Sequence, residues 1–187
     1  MKNWELYRVM LLLPVIFVSV MSIPAQTIQW LTLDELAVRQ EIFPKKVLIN
    51  VYKRDSKWCQ QMDSLTYRDP TIVNYINNHF YAVMLDADEK KTLVFRGERY
   101  KYTNKGRNGY HELVDFLLQG RICYPTTVFL DEKMNVIQPL AGYKDISFFE
   151  QVITYISEDY YKKISWGRFQ KQYIEILRKK IAGKDRY

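Results

Sequence analysis

Cysteine, histidine, glycine and proline are all scarce in this chain of 187 residues. Its two cysteines are too few for a disulfide-stapled scaffold or for a zinc site of four thiolates. Seven glycines and six prolines exclude a low-complexity or collagen-like chain. His79 and His111 have no thiol or acid at metal-ligand spacing, so we expect structural histidines and no bound metal. The sequence has no glycine-rich phosphate loop, and we expect no cofactor.

The remaining composition is that of a globular protein. Apolar residues make up 48% of the chain and charged residues 26%, which at this length predicts one domain with an appendage. The net charge is +7, and residues 162–187 account for all of it with nine basic and two acidic side chains. The other 161 residues carry 19 basic and 19 acidic groups. A neutral body excludes a nucleic-acid groove as the main function.

The N-terminus has the pattern of a secretory signal peptide. Lys2 and Arg8 precede an uncharged apolar run over 9–23, and Ala25 is a small residue suited to cleavage. As a helix this run would rise about 22 Å, less than the ~30 Å hydrocarbon core of a membrane. We therefore predict a signal peptide over 1–25 and a periplasmic or secreted mature chain, with a retained N-terminal membrane anchor as the alternative.

Strand and helix patterns alternate along the rest of the chain. Strands are predicted at 47–52, 80–85, 125–130 and 136–140, and helices at about 33–42, from 58, from 70, and at 111–119, 146–157 and 166–181. A small hairpin is predicted with 93–95 and 100–102 flanking 96–99. The order predicts a three-layer α/β domain over 26–161 with a mixed sheet, followed by a basic amphipathic helix and tail over 162–187.

Two motifs in this chain resemble those of the thioredoxin family. A buried strand leads into Trp58-Cys59-Gln60-Gln61-Met62-Asp63, and Tyr124-Pro125-Thr126 opens a later strand about 65 residues further on. Their order is similar to that of exported bacterial thioredoxin-related proteins, whose active stretch ends Cys-x-x-Met-Asp. The likeness covers about residues 28–170. It implies a thioredoxin-like three-layer sandwich, with an insert before the cis-proline strand and an extra C-terminal helix.

Two registers relate this chain to the thioredoxin Cys-x-x-Cys motif. In one, Cys59 takes the place of the first cysteine and Met62 that of the second. In the other, which needs no gap after strand 47–52, Ser56 takes the first place and Cys59 the second. We favour the gapless register because the residues after Cys59 then match as well. It gives a Ser-x-x-Cys motif and places Asn50 where thioredoxins usually carry a buried aspartate.

These departures argue against ordinary dithiol exchange. Such exchange needs a first thiolate at a helix N-terminus and a second thiol that resolves the mixed disulfide. Ser56 carries a hydroxyl, which forms no disulfide, and its expected role with Asp55 is to cap the helix. Cys59 corresponds to the normally buried resolving thiol, and Asn50 cannot act as a base near neutral pH. The resemblance with these changes implies a degenerate thiol–disulfide oxidoreductase.

The resemblance also implies a cis Pro125 that exposes neighbouring backbone to an extended polypeptide. Tyr124 and Thr126 would flank this edge, with Trp58 beside it as a further substrate-binding residue. A second interpretation is that the proline only shapes the sheet. Cys123 is a candidate redox partner for the motif cysteine, although we favour a small buried hydrophobe there because side chains alternate across a strand.

Two basic segments have competing interpretations. The stripe of aromatic and aliphatic residues in helix 166–181 favours docking on the domain, with weak association with an anionic membrane surface as the alternative. For the insert at about 89–110 we favour a solvated hairpin, and the alternative is a loop that determines specificity.

Three functional hypotheses follow from the sequence. The first is an envelope protein that binds unfolded or extended polypeptides at the Pro125 edge without dithiol turnover. The second is an active thiol–disulfide oxidoreductase that works through Cys59, alone or with Cys123, and uses a thiol reductant as partner. The third is a thiol-binding site assisted by Ser56, by analogy with glutathione transferases.

Overall fold

The computed structural model describes residues 26–104 and 109–184, with side chains as far as Arg178. The signal peptide predicted over 1–25 lies outside the described residues. Within the described part, a mixed sheet is covered by helices on both faces. This is the thioredoxin-like α/β architecture that the sequence predicts.

Five strands form the central sheet. Its spatial order is β1 (Trp30–Leu31), β3 (Tyr81–Asp86), β2 (Val47–Tyr52), β8 (Thr126–Leu130) and β9 (Val136–Ala141). The first three strands are parallel, and β8 and β9 each run antiparallel to their preceding neighbour in that order. One edge is therefore a strand of two residues, and the other is β9, which contains Pro139. Strand β1 was not predicted from the sequence, because two residues are too few to show the alternation of apolar and polar residues that marks a strand.

Among the described residues, six α-helices accompany the sheet. They are α1 (Leu33–Ile42), α2 (Lys57–Ser64), α3 (Pro70–His79), α4 (Glu112–Leu118), α5 (Ile146–Ser157) and α6 (Trp166–Lys184). Local signals set two of the starts. Thr32 and Glu35 form a reciprocal capping box at α1, and Asp69 caps α3 with Pro70 in its first turn. These boundaries confirm the predicted ones.

Strand β2 separates two hydrophobic cores because its side chains alternate between the faces of the sheet. Val47, Ile49 and Val51 face the core built with α1 and α4. Leu48 faces the core built with α2, α3 and α5, where Phe129 and Phe149 are also fully buried. The three layers are thus helices, sheet and helices.

The insert forms two small antiparallel pairs, β4 (Leu93–Phe95) with β5 (Glu98–Tyr100) and β6 (Tyr102–Thr103) with β7 (Tyr110–His111). The predicted hairpin is present with its first strand at 93–95, but its second strand is 98–100 and not 100–102. The turn consists of two residues only, Arg96 and Gly97, whose φ angles of 55° and 80° are those of a tight hairpin turn.

His111 is buried and structural, as predicted. Its Nδ1 accepts a hydrogen bond from the Leu113 amide (3.2 Å), so Nδ1 is the unprotonated ring nitrogen and His111 caps α4. Its Nε2 lies 3.0 Å from the carbonyl oxygen of Lys91 and is placed to donate to it. The histidine therefore joins the insert to the start of α4.

The C-terminal helix docks on the domain through its aromatic stripe, which confirms the favoured interpretation. Phe169 is fully buried, and its ring lies 4.9 Å from Tyr155 and 5.1 Å from Tyr160 between centroids. Trp166 packs against Phe148 on α5 with centroids 5.6 Å apart. Among residues 26–104 and 109–184, no helix has both the length and the apolar character needed to cross a membrane.

We expect Phe169→Ala to lower the free energy of unfolding by about 3 kcal/mol, because it removes a fully buried aromatic ring. Ile174→Ala is the matched control on the same helix, since Ile174 is 58% exposed and its loss should change stability by less than about 0.5 kcal/mol. Urea denaturation measures both. Equal effects of the two substitutions would show that the helix is not docked.

Candidate functional site

Helix α2 begins directly after the polar turn that follows β2, and Ser56 is its N-cap residue. The Ser56 hydroxyl accepts a hydrogen bond from the backbone N–H of Cys59 at 3.4 Å. This is the capping role expected for Ser56, because an N-cap oxygen satisfies an amide that has no partner within the helix. The hydroxyl and the cysteine are thus neighbours across the first turn of α2.

Cys59 and Trp58 point to different environments although they are adjacent. Cys59 lies in the first turn with only 6% of its surface exposed. Trp58 is 59% exposed, and its ring centroid lies 6.0 Å from that of Tyr143. The first turn of α2 therefore presents an indole to solvent and keeps the thiol inside.

The Tyr124–Pro125 peptide bond is cis. The Pro125 carbonyl accepts a hydrogen bond from the Gly142 amide at 2.7 Å, which joins this segment to the loop that carries Tyr143. Thr126 is buried, and its hydroxyl donates to the Cys123 carbonyl at 2.8 Å. Trp58 and Pro125 are therefore joined through the loop at Gly142 and Tyr143.

Tyr124 is half-buried beside a basic residue, Lys53. Burial raises the pKa of its phenol, as do the nearby Asp88, Cys59 and Cys123, while Lys53 opposes the shift. The Lys53 ammonium lies 5.6 Å from the centre of the Tyr124 ring.

The expectation that Cys123 is a small buried hydrophobe is wrong. Cys123 is exposed, whereas Cys59 is buried, and both thiols are free. The argument from alternation fails because β8 begins at Thr126, so Cys123 lies in the preceding loop. The structure contains no Cys59–Cys123 disulfide.

A cavity of about 200 Å³ lies beside Cys59, and sequence reasoning did not find it. The lining residues come from two strands, from the turn after β2 and from α2: Asn50, Tyr52, Met84, Lys53, Arg54, Cys59, Gln60 and Asp63. Asn50 pairs with Met84 on one side and Thr127 on the other, so it lies at the centre of the sheet. The signal in the sequence was a polar residue inside an apolar strand.

Tyr67 also contributes to the interior behind α2. It is 3% exposed, and its hydroxyl shares a hydrogen bond of 2.9 Å with the hydroxyl of Thr127. Burial raises its pKa well above the usual range, and the nearby Asp63 and Cys59 act in the same direction. No local pattern predicts this contact, since the partners are 60 residues apart.

No group of histidine, cysteine, aspartate and glutamate side chains suited to a metal ion occurs in the two described ranges. The two histidines make other contacts. His111 is engaged by the backbone, and the His79 ring lies 4.3 Å from that of Tyr75.

A protein-family model, Thioredox_DsbH, described as "Protein of unknown function, DUF255", matches residues 20–179. The chain belongs to the Thioredox_DsbH family. The match covers nearly the whole chain, including Ser56, Cys59 and Pro125. No curated protein matches the sequence.

Solved structures with the same fold resemble this Thioredox_DsbH member. A thioredoxin-fold protein from Helicobacter pylori has a TM-score of 0.53 at 17% identity and covers 74% of this chain and 86% of its own. A thioredoxin from Thermus thermophilus has a TM-score of 0.50 at 18% identity, over 70% and 87% of the two chains. A DsbH oxidoreductase has a TM-score of 0.50 at 15% identity, over 71% and 87%. Likeness at such identities shows the fold.

Buried tyrosines make the stability of this family member sensitive to alkali. Burial raises the pKa of Tyr67, and it raises the pKa of Tyr75 and of Tyr173 to about 12. The folded protein therefore keeps protons that the unfolded chain loses near pH 10. It follows that the free energy of unfolding falls as the pH rises above about 10.

We expect Tyr67→Phe to reduce this alkaline loss by up to about 1.4 kcal/mol per pH unit, since one titrating group is removed. At pH 8 the same variant should be less stable by about 1 kcal/mol, because the Thr127 hydroxyl loses its partner. Urea denaturation at pH 8, 10 and 11 measures both effects. Phe149→Leu, which alters a ring 5.6 Å from Tyr67, should lower stability equally at all three pH values. A Tyr67→Phe curve parallel to that of the unmodified protein would contradict the prediction.

Proposed function

We propose that this protein is a thioredoxin-fold protein of the cell envelope that binds extended polypeptide at the Tyr124–Pro125 edge and has lost dithiol turnover. The observation that carries the proposal is the position of Ser56. Its hydroxyl caps α2 and accepts from the amide of Cys59, where the gapless register puts the first cysteine of a Cys-x-x-Cys pair. A hydroxyl there can stabilise the helix but cannot form a mixed disulfide.

The position of Cys59 supports the same register. A nucleophilic cysteine works from an exposed place at the helix N-terminus, where the helix dipole favours the thiolate. Cys59 is instead buried inside the first turn. It has the position of a resolving thiol whose exchange partner is missing.

The surroundings of Pro125 suit an extended chain. The backbone N–H and C=O of Tyr124 form no hydrogen bond with any of the described residues. A peptide strand recruits such groups by main-chain hydrogen bonding. The exposed Trp58 indole beside Tyr143 adds an apolar surface for side chains of the bound polypeptide.

The envelope location is supported by the signal-peptide pattern before residue 26. Family membership and the thioredoxin fold are consistent with a role in thiol–disulfide chemistry there. The aromatic face of the C-terminal helix is packed on the domain and cannot insert into a membrane. Any contact with an anionic membrane surface would use only the basic side chains of the helix, and we therefore expect it to be weak.

One observation favours a second function, that of an active oxidoreductase using Cys59 with Cys123. Cys123 is exposed and free, and it lies two residues before Pro125. An exposed thiol at this place could take the attacking role that a serine at position 56 cannot fill. A thiol reductant would then restore the pair.

Reduction of a protein disulfide distinguishes the two functions. We expect the unmodified protein to be inactive and Ser56→Cys to gain at least ~10-fold over that background, because it restores a thiol at the helix N-terminus. Adding Cys59→Ala to Ser56→Cys should remove the gain. Turnover by the unmodified protein that Cys59→Ala abolishes would refute the loss of dithiol exchange, and additional loss in Cys123→Ala would assign the second thiol.

Binding of an unfolded, cysteine-free polypeptide tests the docking edge separately. We expect Trp58→Ala to weaken binding by about 10-fold, because it removes an exposed aromatic contact next to Tyr143. Phe43→Ala is the control, since Phe43 is 70% exposed at the end of α1. Fluorescence anisotropy of a labelled polypeptide gives both affinities. Equal losses in the two variants would indicate binding through apolar exposure in general.

A further inference from the structure

An apolar groove lies between the edge strand β9 and the helices α5 and α6. Leu140 of β9, Phe148 of α5 and Trp166 of α6 are among the residues that line it. Its volume is about 440 Å³, which is within the ~300–1,000 Å³ typical of sites that bind small molecules. Gln138 is the one lining residue of the described chain whose side chain is neither aliphatic nor aromatic, and it is exposed. The groove therefore opens to solvent and has apolar walls.

Two polar side chains on these walls are already engaged. The Tyr155 hydroxyl donates to the Ile164 carbonyl at 2.7 Å, and the Gln138 amide donates to the Pro139 carbonyl at 3.0 Å. Neither group needs a ligand to complete its hydrogen bonding. The body of a ligand in this groove is therefore held mainly by apolar contact.

Strand β9 is poorly suited to bind an extended polypeptide along the groove. It is an edge strand, and Pro139 within it has no backbone N–H to donate to an added strand. A peptide that extends a sheet depends on a row of such main-chain hydrogen bonds. A hydrocarbon chain needs none of them, so it matches the groove better than a polypeptide does.

One end of the groove carries a positive charge that no carboxylate balances. Lys144 lies in the loop from β9 to α5, and its Nζ is 6.0 Å from the centre of the Phe148 ring. The same Nζ donates to the carbonyls of Ala141 at 2.6 Å and of Tyr143 at 3.3 Å. An ammonium group has three donors, so one remains. Lys144 forms no ion pair with any acid in the described parts of the chain.

The other end of the groove differs in this respect. Tyr161, which follows α5, lines the groove there, and the Lys162 ammonium lies 5.3 Å from the centre of its ring. Lys162 is paired with Asp159 at 2.9 Å, so its charge is already balanced. The electrostatic attraction for an anion is therefore stronger at the Lys144 end.

We propose that this groove binds a free medium-chain fatty acid, with the hydrocarbon chain along Leu140, Phe148 and Trp166 and the carboxylate on the Lys144 ammonium. The apolar walls take the chain, and the remaining donor of Lys144 forms a charge-assisted hydrogen bond with the carboxylate. The site is separate from the proposed polypeptide edge, because Trp58 and Pro125 are not among its described lining residues. Either proposal can therefore fail alone.

Isothermal titration calorimetry of the full chain tests the ligand class with octanoate, decanoate and 1-octanol. We expect octanoate to bind at least about 5-fold more tightly than 1-octanol, which has the same chain length and no charge. Decanoate should bind about 10-fold more tightly than octanoate, because two further methylenes leave water. Equal affinities for octanoate and 1-octanol, or no binding of either, would overturn the proposal.

Filling the groove locates the binding. Ile137→Trp, at a half-buried lining position on β9, should weaken decanoate binding at least about 10-fold because the indole occupies the space of the chain. Val94→Trp is the matched control, since Val94 is 45% exposed on β4 and does not line the groove. Circular dichroism verifies the fold of both variants. Equal decanoate affinities in the two variants would place the fatty acid elsewhere. A dimer of the unmodified chain that Ile137→Trp dissociates in sedimentation velocity would show that a second copy covers the groove, and would also refute the proposal.

A second pair of substitutions identifies the group that holds the carboxylate. Lys144→Gln should bring the affinities for octanoate and 1-octanol to within about 2-fold of each other, with that for 1-octanol unchanged. Lys171→Gln, at an exposed position on α6, removes the same charge and should leave the preference for octanoate intact. A preference for octanoate that persists in Lys144→Gln would contradict the assignment of the carboxylate to this lysine.

Discussion

The burial of strand β2 on both faces is the constraint on which the site depends. Val47, Leu48, Ile49 and Val51 are all fully buried, and the strand lies third of five in the sheet. Its position and register are therefore fixed by packing on four sides. The chain must leave the sheet where the apolar run ends, so the start of α2 and the inward direction of Cys59 follow from the core.

Asn50 is the exception within that strand, and the chemistry of the site begins with it. A polar side chain here cannot contribute to the core as its neighbours do, and its oxygen Oδ1 is buried with no hydrogen-bond partner among the described residues. An amide at this position is neutral, so the interior beside Cys59 holds a side chain that neither takes up nor releases a proton near neutral pH.

Sequence reasoning succeeded where the signal is local. The apolar run of β2, the Thr32 and Asp69 caps, and the Ser56 cap each depend on residues within a few positions of one another. It failed where distant segments meet. The Tyr67–Thr127 hydrogen bond spans 60 residues, and the exposure of Cys123 depends on where β8 starts to pair with β2. The two-residue turn at Arg96 depends on positive φ angles, which an arginine rarely adopts and which its sequence therefore does not predict.

The two edges of the sheet have a consequence for how this domain meets other chains. Unpaired strand edges recruit other chains without limit and lead to aggregation. Here β1 offers only two residues, and Pro139 in β9 has no N–H while its carbonyl accepts from the Gln138 side chain at 3.0 Å. Neither edge therefore offers a long row of free backbone groups with which a strand of another molecule could pair, and this limits aggregation through the sheet.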